Sequence, residues 1–153
     1  MSSDEGYLRE AISEAHAAEQ FGEVPVGAII VRNDEIIARG RNRVIADSDP
    51  TAHAEMVVLR AAGVAVGNYR LQGCDLYTTL EPCAMCAGAI LHGRIRRLIF
   101  AAPDPKAGAC GTVLHVLNHP ALNHHVEVTA GLLAEECGAL LSRFFRGRRA
   151  VRS

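Results

Sequence analysis

PTAHAEM, residues 50–56, sets a histidine and a glutamate two positions apart just after a proline and a threonine. Thr51 can cap a helix running to about Ala62, where Gly63 would end it. His53 then stands at the start of a helix. A second stretch, LEPCAMCAG at residues 80–88, offers Cys83 and Cys86 at metal-ligand spacing behind Pro82, a residue suited to a first helical turn that Gly93 would close. Two helices thus begin with metal-ligating side chains, and a fold that brings both N-termini to one place is required for them to act together.

The flanking sequence supplies such a fold. Residues 7–21 read as a helix with Leu8, Ile12 and Ala15 on one stripe, Ser2 and Glu5 as a capping box, and Gly22 and Pro25 as stop signals. VGAIIV (26–31) and EIIARG (35–40), joined by RND, read as a hairpin, and DLYTT (75–79), RRLIF (96–100) and VEV (126–128) as further strands. Thr129 would cap a final basic helix, about 130–149, with Leu133, Cys137, Leu140, Leu141 and Phe144 on its buried side. A hairpin followed by strand-helix alternation predicts an α/β protein, a single three-layer α-β-α domain over residues 1–153 with a mixed five-stranded sheet. The stretch 101–125 is the least periodic, and loops of that length tend to be functional.

Composition bounds the partners. The chain has 153 residues, 49% hydrophobic, enough for one substantial core and too few for two ordinary domains. Its net charge of −1 hides an asymmetry: Asp4, Glu5, Glu10, Glu14, Glu19 and Glu23 crowd the start, while Arg143, Arg146, Arg148, Arg149 and Arg152 follow the last acid, Glu136. A polyanion could meet a local basic surface there; a solvated arginine tail is the alternative. MSSDEGYLRE has no apolar run behind a basic cap, and no later segment is long and apolar enough to span a membrane, so a cytoplasmic location is expected. In a reducing compartment CxxC points to metal or redox chemistry, with Cys74, Cys110 and Cys137 as core residues.

Cys83 and Cys86 share one helical face, and unpaired amides at a helix N-terminus favour the thiolate that binds zinc. Residues i and i+2 point about 200° apart on a helix, so His53 and Glu55 can converge only near the end of its axis. Zinc on two cysteines and one histidine keeps a fourth position for water, the mark of a catalytic site. Two thiolates neutralise the dication and limit the acidity it confers, so a base is needed, and Glu55 is the candidate. Taken alone, CxxC could equally be a redox pair or half of a structural zinc site. H-x-E followed by P-C-x-x-C is the pattern of zinc-dependent nucleobase deaminases. His115 and His119, a competing i, i+4 pair, lie in a segment broken by Pro120 and read as surface.

The blocks VPVGAII, PTAHAEM, NYRL, TLEPCAMCAGAI, DPKAGACG and LLSRFFRGRR, in this order, resemble the bacterial tRNA-specific adenosine deaminases of the cytidine deaminase superfamily. The resemblance runs from about Tyr7 to Arg149. It implies a cytidine-deaminase-like fold, a homodimer, one zinc per subunit on His53, Cys83 and Cys86, and hydrolytic conversion of the wobble adenosine of an arginine tRNA anticodon to inosine, with Glu55 as proton shuttle for zinc-activated water. It further implies that Asn42 holds the target nucleoside, that Asp104 and Lys106 lie beside its ribose and phosphate, and that Asn123 makes another RNA contact. Phe145, Arg146 and Arg149 would pack on the anticodon loop, and Arg70 would serve the partner's site. Phe144 reads as core. The chain departs from the family mainly in its short tail after Arg149. Two other readings share the motif: a guanine, cytosine or deoxycytidylate deaminase acting on a small molecule, and a catalytically silent zinc scaffold, which the presence of Glu55 disfavours.

Overall fold

The computed structural model describes residues 3–152. Its elements run α1 (Asp4–Gln20), β1 (Gly27–Arg32), β2 (Glu35–Arg41), α2 (Ala54–Val66), β3 (Cys74–Leu80), α3 (Ala84–His92), β4 (Arg97–Ala102), β5 (Glu127–Ala130) and α4 (Ala134–Arg152). One five-stranded sheet has the order β2-β1-β3-β4-β5. β1 is antiparallel to β2 and β3, whereas β3, β4 and β5 are parallel. The sheet is therefore mixed, as expected from a hairpin followed by crossover helices.

Strand alternation builds the layers. Ile30, Leu76 and Leu98 point to the face covered by Val58 and Ala62 of α2 and Ile90 of α3. Their neighbours Ile29, Tyr77 and Ile99 point the other way, onto Leu8 and Ile12 of α1 and Cys137 of α4. Asn33 and Asp34 turn β1 into β2 with φ of 51° and 61°, the left-handed pair that a two-residue hairpin needs. α2 lies close against β2 because position 40 lacks a side chain: a Cβ on Gly40 would stand 2.8 Å from the Val58 nitrogen.

Several boundaries differ from the sequence reading. Ser3 caps α1, its hydroxyl accepting from the Gly6 amide at 3.1 Å, and the expected cap at Ser2 lies outside the described residues. α2 is capped by His53 rather than Thr51, whose hydroxyl donates to Asp49. It also runs through Gly63 to Gly67, which takes the left-handed conformation at φ 76°. Val66 packs on the core one turn beyond Gly63, so burial holds the extra turn in place. Pro82 precedes α3, and Cys83 is its N-cap. Thr129 is not a cap: it lies in β5, paired with Ile99, and α4 begins only after Gly131 and Leu133 turn the chain at positive φ.

A polar strut joins α1 to the sheet. Tyr77 donates to Asp4 at 2.6 Å, Arg97 pairs with Asp4 at 2.9 Å and with Asp75 at 3.5 Å, and Arg96 holds Asp75 through two hydrogen bonds. The Arg97 hydrogen bond, against the opposing effect of burial, holds the Asp4 carboxyl below the ordinary carboxylate value. A carboxyl depressed by folding contributes stability above its unfolded pKa of about 3.9 and loses it as the pH falls through the lower folded value. Asp4→Asn is thus expected to lower stability by about 1 kcal/mol or less at pH 7. Urea unfolding should show the gap to the parent closing below about pH 4; a gap that is constant with pH contradicts the strut.

Candidate metal centre and adjoining groove

The two crossover helices start at one point. His53 and Cys83 are the N-caps of α2 and α3, yet neither side chain caps its own helix, so both remain available to project beyond the helix ends. Cys86 follows in the first turn of α3 and is fully buried. His53 Nδ1 lies 3.6 Å from Cys83 Sγ and 3.7 Å from Cys86 Sγ, and the three ligand atoms all fall within 4.8 Å of one another. On a tetrahedral zinc with bonds of about 2.3 Å to sulfur and about 2.1 Å to nitrogen, an S···N edge measures about 3.6 Å. The triad therefore has the spacing and donor set that zinc takes. Hydrogen bonds from Cys86 and then His53 pull the Cys83 thiol down to about 3, the thiolate form a metal requires. The same contact with Cys83, with burial added, holds Cys86 above the ordinary thiol range.

Glu55 occupies the first turn of α2 and is 4% exposed. Burial pushes its carboxyl up to about 7, against the Glu55 backbone hydrogen bond and the charge of His53. A carboxyl of this kind beside a metal site can carry a proton in either direction near neutral pH. Asn42, at the end of β2, spans to the same helix: its Oδ1 accepts from the Ala54 amide at 2.9 Å, and its Nδ2 donates to the Val24 carbonyl at 3.1 Å. The amide keeps a second N–H and a second lone pair.

A groove of about 690 Å³ opens at the carboxyl end of β3, where Leu80 lines it three residues before Cys83. Ala102 at the end of β4 lines it too. Asp104 and Lys106 of the β4–β5 connection and Phe145, Arg146 and Arg149 of α4 line it as well. It thus lies outside the carboxyl ends of parallel strands, where open α/β sheets place ligands. Phe145 is 42% exposed, whereas Phe144 is half-buried and lies under the Arg148 guanidinium at 5.1 Å. Five of the eight expected RNA contacts are therefore brought together. Asn42 sits apart by the Glu23 and Arg43 pocket, Asn123 lines a depression with Arg94, Arg96 and His125, and Arg70 is stacked on Tyr69. His115 and His119 are exposed, and Cys74, Cys110 and Cys137 are buried.

Besides Asp75 of the strut, two buried carboxylates, Glu23 and Glu81, have no role in the sequence reading. Glu23 accepts from the Ile45 and Ala46 amides, and Glu81 from the Asp104, Cys110 and Thr112 amides and the Thr112 hydroxyl. Burial alone would raise the Glu81 carboxyl; its four donors outweigh that and hold it below the ordinary range. The only signal was the acid's place two residues before a metal-ligating cysteine.

Residues 1–102 match the cytidine and deoxycytidylate deaminase zinc-binding region. The tRNA-specific adenosine deaminase of Bacillus subtilis (strain 168) is 51% identical over 146 residues, covering 95% of this chain and 91% of the relative. A solved structure from a study of A-to-I editing by tRNA:A34 deaminases at the wobble position of transfer RNA is 44% identical, with a TM-score of 0.85 over 88% of this chain and 98% of that one. A guanine deaminase from Bacillus subtilis is 34% identical, with a TM-score of 0.66 over 97% of this chain and 95% of that one.

Proposed function

Because the chain belongs to the tRNA-specific adenosine deaminase family, within the cytidine and deoxycytidylate deaminases, we propose that it hydrolyses the wobble adenosine of a tRNA anticodon to inosine and ammonia. The observation that supports this reading is the groove: Lys106, Arg146, Arg149 and the exposed Phe145 line one cavity at the carboxyl end of β3, three residues before Cys83 of the zinc-type triad. A small base needs no such wall, whereas unpaired anticodon bases and their phosphates do.

His53 Nδ1, Cys83 Sγ and Cys86 Sγ would hold the zinc. Bound there, zinc supplies a Lewis acid that makes water a nucleophile near neutral pH. Glu55 takes one proton from the attacking water and gives it to purine N1, then passes the remaining proton of the new C6 hydroxyl to the C6 amine, which leaves as ammonia while C6 becomes the carbonyl of inosine. Asn42, clamped between Val24 and Ala54, presents its remaining N–H and lone pair to the target nucleoside. Asp104 and Lys106 sit beside the ribose and phosphate, Phe145 offers a stacking face, and Arg146 and Arg149 meet the anticodon backbone, with Asn123 as a further contact. Arg70 would reach the partner's site in a homodimer. Among the described residues no helix is long and apolar enough to cross a membrane; the proposed substrate, an arginine tRNA, fits a cytoplasmic location.

Lys106→Ala with Arg146→Ala removes two of the three cations that line the groove. With both contacting phosphate, tRNA binding should weaken, and the slope of log K against log salt should become shallower by about 1.4–1.8, two charges' worth. Zinc content should not change. Unchanged tRNA affinity at two salt concentrations would overturn the groove as an RNA surface.

A further inference from the structure

We propose that Glu81 is a positioning residue for the tRNA reaction, a buried acceptor that fixes the segment 104–112 so that Asp104 and Lys106 face the groove. The inference rests on the function proposed above.

β4 ends at Ala102 and the next strand begins at Glu127, so the intervening chain is held mainly by what touches it. Glu81, 2% exposed, collects that chain at three points: Oε1 accepts from the Asp104 amide at 3.1 Å and from the Thr112 hydroxyl, and Oε2 accepts from the Cys110 and Thr112 amides at 3.0 and 3.1 Å. The Ala109 amide adds a bond to the Pro82 carbonyl at 2.9 Å. Asp104 carries the order forward, accepting from the Lys106 and Ala107 amides. Gly108 makes the approach feasible: a Cβ there would come within 2.5 Å of the Glu81 carboxyl and 2.6 Å of the Asp104 carbonyl. All four donors to Glu81 are neutral, so the carboxylate is spent on fixing backbone rather than on pairing a charge. Groove residue Leu80 precedes it, and ligand Cys83 follows two positions later, so one short stretch registers the loop against the metal centre.

Glu81→Gln tests this at constant shape. The amide NH2 is best tolerated on the Oε1 side, where the Thr112 hydroxyl can reverse its role while the Asp104 amide loses its acceptor. Steady-state assays on tRNA should show KM raised about tenfold with kcat within about threefold of the parent, as for a group that positions substrate without entering the chemistry. Zinc content should hold, and hydrogen exchange at the Asp104 amide should quicken about tenfold. Gly108→Ala, which displaces the same segment from its other side, should give the same KM-against-kcat split if Glu81→Gln folds poorly. KM unmoved in both variants, or a fall in kcat and zinc content with KM unchanged, overturns the inference; the second result would assign Glu81 to the metal end. A parent that forms no inosine overturns the functional reading itself, a result distinct from an active parent whose variants keep their KM.

Discussion

Glu55→Gln is expected to abolish nearly all deamination while leaving zinc content, fold and tRNA binding as they are. The amide fits the same pocket in the first turn of α2, and it replaces a carboxyl that burial already drives toward neutrality, so no buried charge is stranded. What it cannot do is accept the proton of the attacking water and release it to the purine. General acid-base groups contribute about 10²–10⁴-fold. Glu55 is assigned more than one transfer, so the loss should reach the upper part of that range or exceed it. Single-turnover inosine formation is the measurement, because it excludes product release. A rate within a few-fold of the parent removes Glu55 from its role.

The second large effect is expected from Cys86→Ala. Two sulfurs and one nitrogen leave no spare protein ligand in the triad, so metal content should fall below about a tenth of an ion per chain. Metal present at about a hundredfold over its dissociation constant stabilises the folded chain by about 2.7 kcal/mol, and its loss should lower the melting temperature by about 5–10 °C in a chain of this size. The metal ties the N-termini of α2 and α3, which belong to separate crossovers. Because removal of any buried sulfur also leaves a small void, Cys137→Ala is the control: it too should lose stability, but keep its zinc. Full zinc occupancy in Cys86→Ala would mean that the ligands are misassigned.

The site was legible where its chemistry is local. His53, Cys83 and Cys86 announce themselves by residue type at helix starts, and the structure sets His53 and Cys83 at N-caps and Cys86 in the first turn of α3, with their ligand atoms together. That residues as distant in sequence as Lys106 and Arg146 belong to one site was expected only through resemblance, since nothing in FFRGRR alone joins it to DPKAGACG; the structure places both in the lining of one groove. Glu81 and Glu23 were not legible, because their partners are backbone amides 22–31 positions away, and every residue type except proline offers that donor. Helix ends failed for a related reason. Gly63 is a stop signal in isolation, and burial of Val66 overrides it; Thr129 is a good cap in isolation, and pairing with Ile99 on a distant strand claims it first. The layered sheet survived these errors because it depends on alternating apolar residues in β1, β3 and β4, which a shift of one or two residues at an element's end does not change.

One assay tests both whether the zinc-type site deaminates and whether its substrate is RNA. The purified, zinc-loaded chain is incubated in parallel with an adenosine-34 tRNA, with the same tRNA carrying guanosine at that position, and with free guanine, cytosine, adenosine and deoxycytidylate; inosine in the RNA is read by sequencing and small-molecule products by chromatography. Inosine is expected at position 34 of the first tRNA alone, with the free bases and nucleotides turned over at least about 10³-fold less efficiently in kcat/KM, because the binding energy of the groove is then missing. Efficient release of ammonia from guanine or deoxycytidylate, with the tRNA untouched, would contradict the proposed function.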